Sequence, residues 1–198
     1  MADKTALGDR MKMYEHREVG RRAMPRLPIC VRIDGKTFSR FTRNLARPYD
    51  ERLSELMVHT AEVLVEKTGA RIGYTQSDEI SLILYSDSPN SQVYLDGRIM
   101  KLTSILASIA TAAFNARLGE LIPEKAGQTA LFDCRVWTVP DLDEAANTLL
   151  WRELDATKNS ISMAARAKFS HNALHGKSGR QMQDLSLIHI SEPTRRYE

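Results

Sequence analysis

The sequence lacks the features that define several protein classes. Its 198 residues include only two cysteines, Cys30 and Cys134, which are far apart and form no Cys-x-x-Cys pair, so neither a disulfide scaffold nor a zinc finger is indicated. No apolar run approaches the roughly 20 residues of a membrane span. The start of the chain has no apolar signal-peptide segment. With 42% hydrophobic and 27% charged residues, we expect a globular, cytoplasmic protein that contacts no membrane.

The spacing of apolar residues predicts four strands and several helices. The strands are expected at 29–33, 70–75, 80–85 and 131–139, and the helices at 3–24, 51–67, 97–117, 140–152 and 156–183. This order is β-α-β-β-α-β, the ferredoxin-like pattern of an α+β fold, with additional helices at both ends. In that topology strands one and two run parallel, and strand three lies between them. Trp151, Met57, Met100 and Met163 fit helix faces and are predicted to be core residues.

The last residues do not continue the amphipathic helical pattern that precedes them. From Leu185 onward they look like the translation of a sequencing-library adapter. We therefore expect residues 1–184 to form a single domain, incomplete at its C-terminus, and residues 185–198 to be a non-native, poorly packed tail. The alternative is an ordinary C-terminal strand. Burial of Leu187, Ile188 and Ile190 would contradict the tail hypothesis.

Acidic residues lie where this topology brings strand ends together. Asp34 ends the first strand, and Asp78 and Glu79 lie in the turn between the second and third strands. Neighbouring carboxylates repel each other unless a cation lies between them, and Mg²⁺ prefers oxygen ligands. We therefore predict a magnesium site and phosphoryl or nucleotidyl transfer, with Glu79 either a third ligand or an acceptor behind the ligands. The alternative is that Asp34 and Asp78 are simple turn residues.

Five ordered blocks carry a resemblance to a known family. They are Ile33-Asp34-Gly35-Lys36-x-Phe38-Ser39-Arg40-Phe41, Ala46-Arg47-Pro48-x-Asp50, Tyr74-x-Gln76-Ser77-Asp78-Glu79-Ile80-Ser81, Phe132-Asp133-x-Arg135-Val136 and Trp151-Arg152-x-x-Asp155-Ala156-x-x-Asn159-Ser160. Over about residues 5–184 the chain resembles the tRNA-His guanylyltransferases, which are 3′-to-5′ nucleotidyl transferases with a polymerase-like palm. The segments after Ala156 look most like the bacterial and phage branch of that family.

The resemblance implies a metal set, substrates and an assembly. Asp34, Asp78 and the main-chain carbonyl of Gly35 would hold two Mg²⁺ ions, the substrates would be GTP, ATP and a tRNA, and the assembly would be a homotetramer. One departure concerns specificity. Where eukaryotic members carry His-Ile-Asn-Asn-Leu-Tyr-Asn, this chain has residues 157–163, Thr-Lys-Asn-Ser-Ile-Ser-Met, without the histidine. Addition of guanylate to tRNA-His and template-dependent repair of 5′-truncated tRNA therefore both stay open.

Further polar residues around the carboxylates suit a bound triphosphate. Backbone N–H groups and an ammonium group meet phosphate oxygens, and arginine contacts phosphate with two nitrogens. The predicted nucleotide contacts, besides Asp34, Gly35 and Asp78, are Lys36, Thr37, Phe38, Ser39, Ser77, Arg47, Lys101 and Arg135. The alternatives are that Phe38 is a core residue and that the three distant basic residues are solvated surface charges, with Asp133 capping a turn or pairing with Arg135.

The segment 156–183 contains no acidic residue. A segment whose charges are all positive is suited to contact the RNA backbone, because phosphate contacts supply most non-specific affinity. The predicted RNA contacts are Lys158, Asn159, Arg166, Lys168, Lys177 and Arg180. The alternative is a solvated helix face.

These observations lead to one functional hypothesis and two alternatives. The hypothesis is Mg²⁺-dependent addition of guanylate from GTP to the 5′ end of a tRNA after activation of that end by ATP, with loss of activity if C-terminal helices are missing. One alternative is a non-catalytic RNA-binding domain on a ferredoxin-like sheet, although the strands lack the expected pair of stacking aromatics. The other is a palm-type nucleotide cyclase, against which the basic segment 156–183 argues.

Overall fold

A four-stranded antiparallel sheet forms the centre of the computed structural model, which describes residues 5–88 and 91–191. The strands are β1 (Ile29–Gly35), β2 (Ile72–Gln76), β3 (Glu79–Leu84) and β4 (Phe132–Thr138). Their order across the sheet is β2-β3-β1-β4. Since β1 and β2 each pair antiparallel with β3, they run parallel to each other with β3 between them, as predicted.

Seven α-helices surround the sheet in the described residues. They are α1 (Ala6–Val19), α2 (Phe38–Phe41), α3 (Glu51–Thr68), α4 (Ile99–Leu121), α5 (Leu142–Lys168), α6 (His171–Leu174) and α7 (Gly179–Ser191). Short 3₁₀ turns lie at Tyr94–Gly97 and Pro123–Lys125. The α+β class and the added terminal helices are therefore confirmed.

Helix α3 shows how local sequence sets the element ends. The Asp50 carboxylate accepts a hydrogen bond from the Arg52 backbone N–H at 3.1 Å, which satisfies one of the free donors of the first turn. At the other end Gly69 has φ 66°, the left-handed conformation that glycine adopts without a Cβ penalty. Aspartate and glycine are residue types that favour these two cap positions.

The strand pleat divides the sheet into an aliphatic face and a polar face. Ile29, Val31 and Ile33 alternate with Cys30, Arg32 and Asp34 along β1, and the three aliphatic residues are at most 1% exposed. The aliphatic face packs against α3 and α4, whose Leu64, Leu102, Leu106 and Phe114 are fully buried. The polar face is covered only in part, where the first half of α5 packs Ala145 and Leu149 against Cys30 and Ile83.

Helix α4 is a core element despite its composition. Its 23 residues are long and apolar enough to cross a bilayer by length and composition alone. In the structure, however, one side of the helix supplies much of the main core, and α4 packs against α3 and β4. This is the arrangement of a central helix in a packed domain.

Three predicted helix ends differ from the structure. Helix α1 ends at Val19, before Gly20, rather than at residue 24. Helix α4 continues to Leu121 rather than ending at residue 117. Helix α5 runs without interruption to Lys168, because residues 153–158 contain no glycine or proline to stop it.

Of the four helical residues predicted to lie in the core, one is buried and three are exposed. Met57 is 1% exposed, as predicted, but Trp151 and Met100 are 53% and 52% exposed and Met163 is 36% exposed. Their helical spacing was compatible with an inward face, but in the structure these three residues lie on exposed sides of α4 and α5.

The C-terminal helix crosses the boundary that we predicted at residue 185. Helix α7 packs on α5 and stays helical through Ser191, so the alternative of a strand is wrong for this stretch. The side chains of Leu187, Ile188 and Ile190 lie outside the described residues, and the expected poor packing of the tail stays a prediction.

Candidate functional site

The polar face of the sheet carries an acidic row beside a basic row. Strand register places Glu79 opposite Asp34, and Asp34 opposite Asp133, so three carboxylate-bearing residues lie side by side at one end of β3, β1 and β4. Two residues further along the strands, on the same face, Arg32 lies directly opposite Arg135. Like charges in directly opposed positions destabilise a sheet unless counter-charges are present. The arrangement therefore suits a ligand that combines cations with anions.

Backbone hydrogen bonds fix the two predicted metal ligands to one another. The Gly35 N–H donates to the Asp78 carbonyl oxygen at 3.1 Å, which ties the end of β1 to the β2–β3 turn. The Lys36 N–H donates to the Leu131 carbonyl at 2.8 Å and fixes the same point to the start of β4. The sequence prediction that Asp34 and Asp78 converge is confirmed at the level of the backbone.

The electrostatic environment of Asp34 and Asp78 favours a bound cation. Burial raises the pKa of Asp34, and the neighbouring charges of Asp133 and Glu79 raise it further. Burial also raises the pKa of Asp78, and Asp34 and Glu79 add to this effect, although hydrogen bonds from its own N–H and from Ser77 act against it. Carboxylates that are hard to ionise together are relieved by a cation between them.

The donor set fits Mg²⁺ rather than a softer metal. Among the described residues, no group of three or more His, Cys, Asp or Glu side chains is arranged to hold a metal. The predicted set of two carboxylates and the Gly35 carbonyl is all oxygen and incomplete. Such a set suits Mg²⁺, which keeps waters and takes its remaining ligands from substrate phosphates.

Glu79 forms a buried ion pair with Arg152. Arg152 Nε donates to Glu79 Oε1 at 2.6 Å and Arg152 Nη2 donates to Oε2 at 2.8 Å, with both side chains about nine-tenths buried. Gln76 Nε2 donates to the Arg152 carbonyl at 3.1 Å. This geometry favours the acceptor alternative for Glu79 over a role as third metal ligand.

Phe38 lies in the core, in agreement with the alternative prediction. Its ring contacts those of Phe41, Phe114 and Phe132, with centroids 4.9, 5.6 and 5.5 Å away, and the residue is 4% exposed. The ring also lies on Gly35, where a Cβ would come within 2.2 Å of Phe38 Cδ2. This packing therefore favours glycine at position 35.

Two residues beside the carboxylates have left-handed backbone conformations. Thr37 has φ 54° and Ser77 has φ 50°. Non-glycine residues rarely adopt this region, and such conformations cluster at ligand sites where the surroundings hold them. The surrounding structure therefore holds both turns in a conformation that these residues seldom adopt.

A cleft of about 1130 Å³ opens above the polar face, between β1, β3, α5 and a loop at residues 42–50, which we call the cleft loop. Seven of the predicted site residues line it: Asp34, Ser77, Asp78, Glu79, Arg47, Asn159 and Arg166. The others are not among the residues that line it: Gly35, Lys36, Thr37, Phe38, Ser39, Lys101, Arg135, Lys158, Lys168, Lys177 and Arg180.

Sequence reasoning gave too little weight to three residues. Asp133 was considered only as a turn cap or as a partner for Arg135, with which it forms an exposed pair at 3.7 Å. Arg32 lines the cleft, and its buried Nε has no hydrogen-bond partner among the described residues. Arg152 is the buried partner of Glu79. A usable signal existed for Arg32, because it is a charge within an aliphatic strand, two residues before Asp34.

Comparison with known proteins assigns the family. The sequence model described as Thg1: tRNAHis guanylyltransferase matches residues 8–140. The chain belongs to the tRNA-His guanylyltransferase family. Among its relatives, it is 35% identical over 185 residues to the uncharacterized protein R259 of Acanthamoeba polyphaga mimivirus and 32% identical over 145 residues to the tRNA(His) guanylyltransferase of Saccharomyces cerevisiae. These alignments cover 82% and 70% of this chain.

Solved structures of the tRNA-His guanylyltransferase family share this fold. A bacterial tRNA(His) guanylyltransferase (Thg1)-like protein in complex with ATP matches with a TM-score of 0.88 and 40% identity, covering 94% of this chain and 81% of that one. Such a protein in complex with GTP matches with a TM-score of 0.78 and 38% identity, covering 91% and 76%. The chain spans 63% of the mimivirus protein and 60% of the yeast enzyme.

Proposed function

We propose that this chain carries the catalytic domain of a nucleotidyltransferase that adds guanylate from GTP to the 5′ end of a tRNA. The observation that carries the proposal is the junction of Asp34 and Asp78, held by the Gly35–Asp78 backbone hydrogen bond at the floor of a large cleft. Membership of the tRNA-His guanylyltransferase family supports it. So do the related bacterial structures, which contain ATP and GTP.

The reaction needs positioning and charge neutralisation more than a protein nucleophile. In the first step the 5′-phosphate of the tRNA attacks the α-phosphorus of ATP, and pyrophosphate leaves. The 3′-hydroxyl of GTP then attacks the activated 5′ phosphorus, AMP leaves, and pyrophosphate is finally removed from the new end.

The residues of the polar face have distinct proposed roles in these steps. Asp34, Asp78 and the Gly35 carbonyl would hold two Mg²⁺ ions, which supply activation of the attacking hydroxyl and neutralisation of the leaving group. Arg47 and Arg32 face the cleft and suit the triphosphate. Lys36, Thr37 and Ser77 lie in the turns beside the carboxylates, and Ser39 lies in the first turn of α2. Their N–H and hydroxyl groups suit phosphate oxygens. Glu79 acts by holding Arg152.

Helices α5 to α7 are the proposed tRNA surface. Asn159 and Arg166 line the cleft, so this surface continues into the carboxylate site. The other proposed RNA contacts are exposed: Lys158 and Lys168 on α5, Lys177 in the connection between α6 and α7, and Arg180 on α7. The choice between maturation of tRNA-His and repair of 5′-truncated tRNA belongs to this proposal. The missing histidine at 157–163 favours repair.

Two further parts of the proposal concern assembly and location. Helix α1 exposes Leu7, Met11 and Tyr14 by 56%, 45% and 50%, which supports burial in a homo-oligomer. Both cysteines are free thiols, which supports a reducing, cytoplasmic setting. An RNA-binding domain without catalysis is less well supported, because the central strands present Arg32, Asp34 and Glu79 on the polar face rather than stacking aromatics.

The test is incorporation of labelled GTP into 5′-monophosphorylated tRNA with Mg²⁺, with and without ATP. We expect Asp34→Asn and Asp78→Asn each to lower incorporation at least about 100-fold, because each removes a charge that the transition state requires. Asp143→Asn, on the exposed first turn of α5, is the matched control and should retain activity. Equal incorporation by all three variants would refute the assignment.

A further inference from the structure

We infer that the 3₁₀ turn Pro123–Lys125 is a clip that holds both ends of the cleft loop and thereby positions Arg47 for the triphosphate. The inference rests on the proposed function and assigns positioning roles to Glu124 and Lys125. Two adjacent side chains of this turn, which follows α4 at the far end from Lys101, reach the two flanks of a loop about 80 residues earlier in the chain. One short turn thus controls the geometry of one wall of the cleft.

Lys125 holds the first flank. Its Nζ donates to the Arg43 carbonyl at 2.8 Å and lies 5.7 Å from the centroid of the Phe41 ring. The residue is 7% exposed, and in the described part of the chain no carboxylate forms an ion pair with it. Burying an ammonium group without a counter-charge is costly, and here the cost is offset by a carbonyl and an aromatic face at the end of α2.

Glu124 holds the second flank through Arg52 and Asp50. Arg52 donates from Nη1 and Nη2 to the two Glu124 oxygens at 3.1 and 2.6 Å. The same guanidinium donates to the buried Asp50 carboxylate from Nε and Nη2, at 3.0 and 2.8 Å. Asp50 Oδ2 in turn accepts from the Ala46 N–H at 3.2 Å, so this chain of contacts ends one residue before Arg47.

Arg47 is exposed and lines the cleft, and its side chain has no hydrogen bond or ion pair to another described residue. A free guanidinium on a mobile loop would lose conformational entropy on meeting phosphate, which lowers affinity. Because the clip fixes the backbone on both sides of Arg47, part of this conformational entropy is already lost in the free protein, before the nucleotide binds. The clip residues touch no substrate and act through Arg47.

The experiment combines two measurements on the full chain. Hydrogen exchange of residues 42–50 reports the loop, and equilibrium titration with GTP and Mg²⁺ reports the site. We expect Lys125→Met and Glu124→Gln each to speed exchange in this segment, and the double variant to raise the Kd for GTP about tenfold, from the cost of ordering one long side chain and its loop. Glu120→Gln is the matched control, since it breaks an exposed pair with Arg117 on α4 at 3.0 Å.

The decisive readout is repetition of the titration in an Arg47→Ala background. If the clip acts through Arg47, the double clip variant changes the Kd of that background by less than about twofold, whereas a general loss of folding would weaken binding equally in both backgrounds. Equal weakening in both, or exchange no faster than in Glu120→Gln, overturns the inference while the proposed function stands. Absence of GTP and ATP binding by the unaltered chain overturns the proposed function and the inference with it.

Discussion

Removal of the Arg152 side chain should be among the most destabilising single changes in this protein. Arg152→Met leaves the Glu79 carboxylate buried without its two charge-assisted hydrogen bonds of 2.6 and 2.8 Å. Loss of one partner of a buried ion pair costs about 3–5 kcal/mol. Arg32 Nε, 3.9 Å from Glu79 Oε2, is placed to replace part of the pairing, so we expect the lower half of that range.

The assay is urea denaturation followed by circular dichroism, supported by thermal melting. At roughly 2–4 °C for each kcal/mol, the melting temperature should fall by about 6–16 °C. Arg135→Met is the control, because its pair with Asp133 is 3.7 Å long and half exposed, and an exposed pair contributes about 0–1 kcal/mol. A loss for Arg152→Met no larger than that of the control would refute the reasoning.

The double variant Glu79→Gln with Arg152→Met makes the test sharper. If the cost arises from an unpaired buried charge, the neutral glutamine should restore part of the stability that Arg152→Met loses. Purely additive losses would show that Arg152 stabilises the protein through packing, including its position 4.6 Å from the Trp151 ring, rather than through charge.

The remaining predictions concern three other positions. Hydrogen bonds from Arg52 lower the pKa of Asp50 to about 2. The charged form of Asp50 therefore contributes stability above its unfolded pKa of about 4. The difference in unfolding free energy between the unaltered protein and Asp50→Asn should disappear as the pH falls from about 4 towards 2. Gly35→Ala should lose about 1–3 kcal/mol of stability because its Cβ would overlap the Phe38 ring, measured by urea denaturation, and a neutral result would contradict that packing. Burial raises the pKa of Cys134 to about 12, so a thiol reagent at pH 8 should label it only after denaturation; rapid labelling of the native protein would contradict its burial.

The fold could be predicted because its signals are local. Alternating aliphatic residues in β1, the Asp50 cap and the Gly69 cap each act within a few residues, so their elements appeared where expected. The convergence of Asp34 and Asp78 followed from topology, because a sheet of this order brings those two chain points together.

What could not be predicted depends on contacts between distant segments. Nothing near Arg152 in the sequence indicates that it reaches Glu79, 73 positions away. The same holds for Lys125 and the carbonyl of Arg43. Lys101 was predicted to contact the nucleotide, but it is not among the residues that line the cleft. The orientation of α4 is set by its packing against α3 and β4, which the sequence around Lys101 does not indicate.

The alternation along β1 has a consequence for how this gene tolerates insertions and deletions. Ile33 lies in the aliphatic core, while Arg32 and Asp34 on either side of it serve the opposite surface. Loss of one codon within β1 would move the residues on one side of the deletion to the opposite face, so that charged side chains would enter the core and aliphatic side chains would leave it. The seven residues of β1 thus supply both core residues and site residues. Insertions and deletions should therefore be tolerated only in the connections outside the sheet.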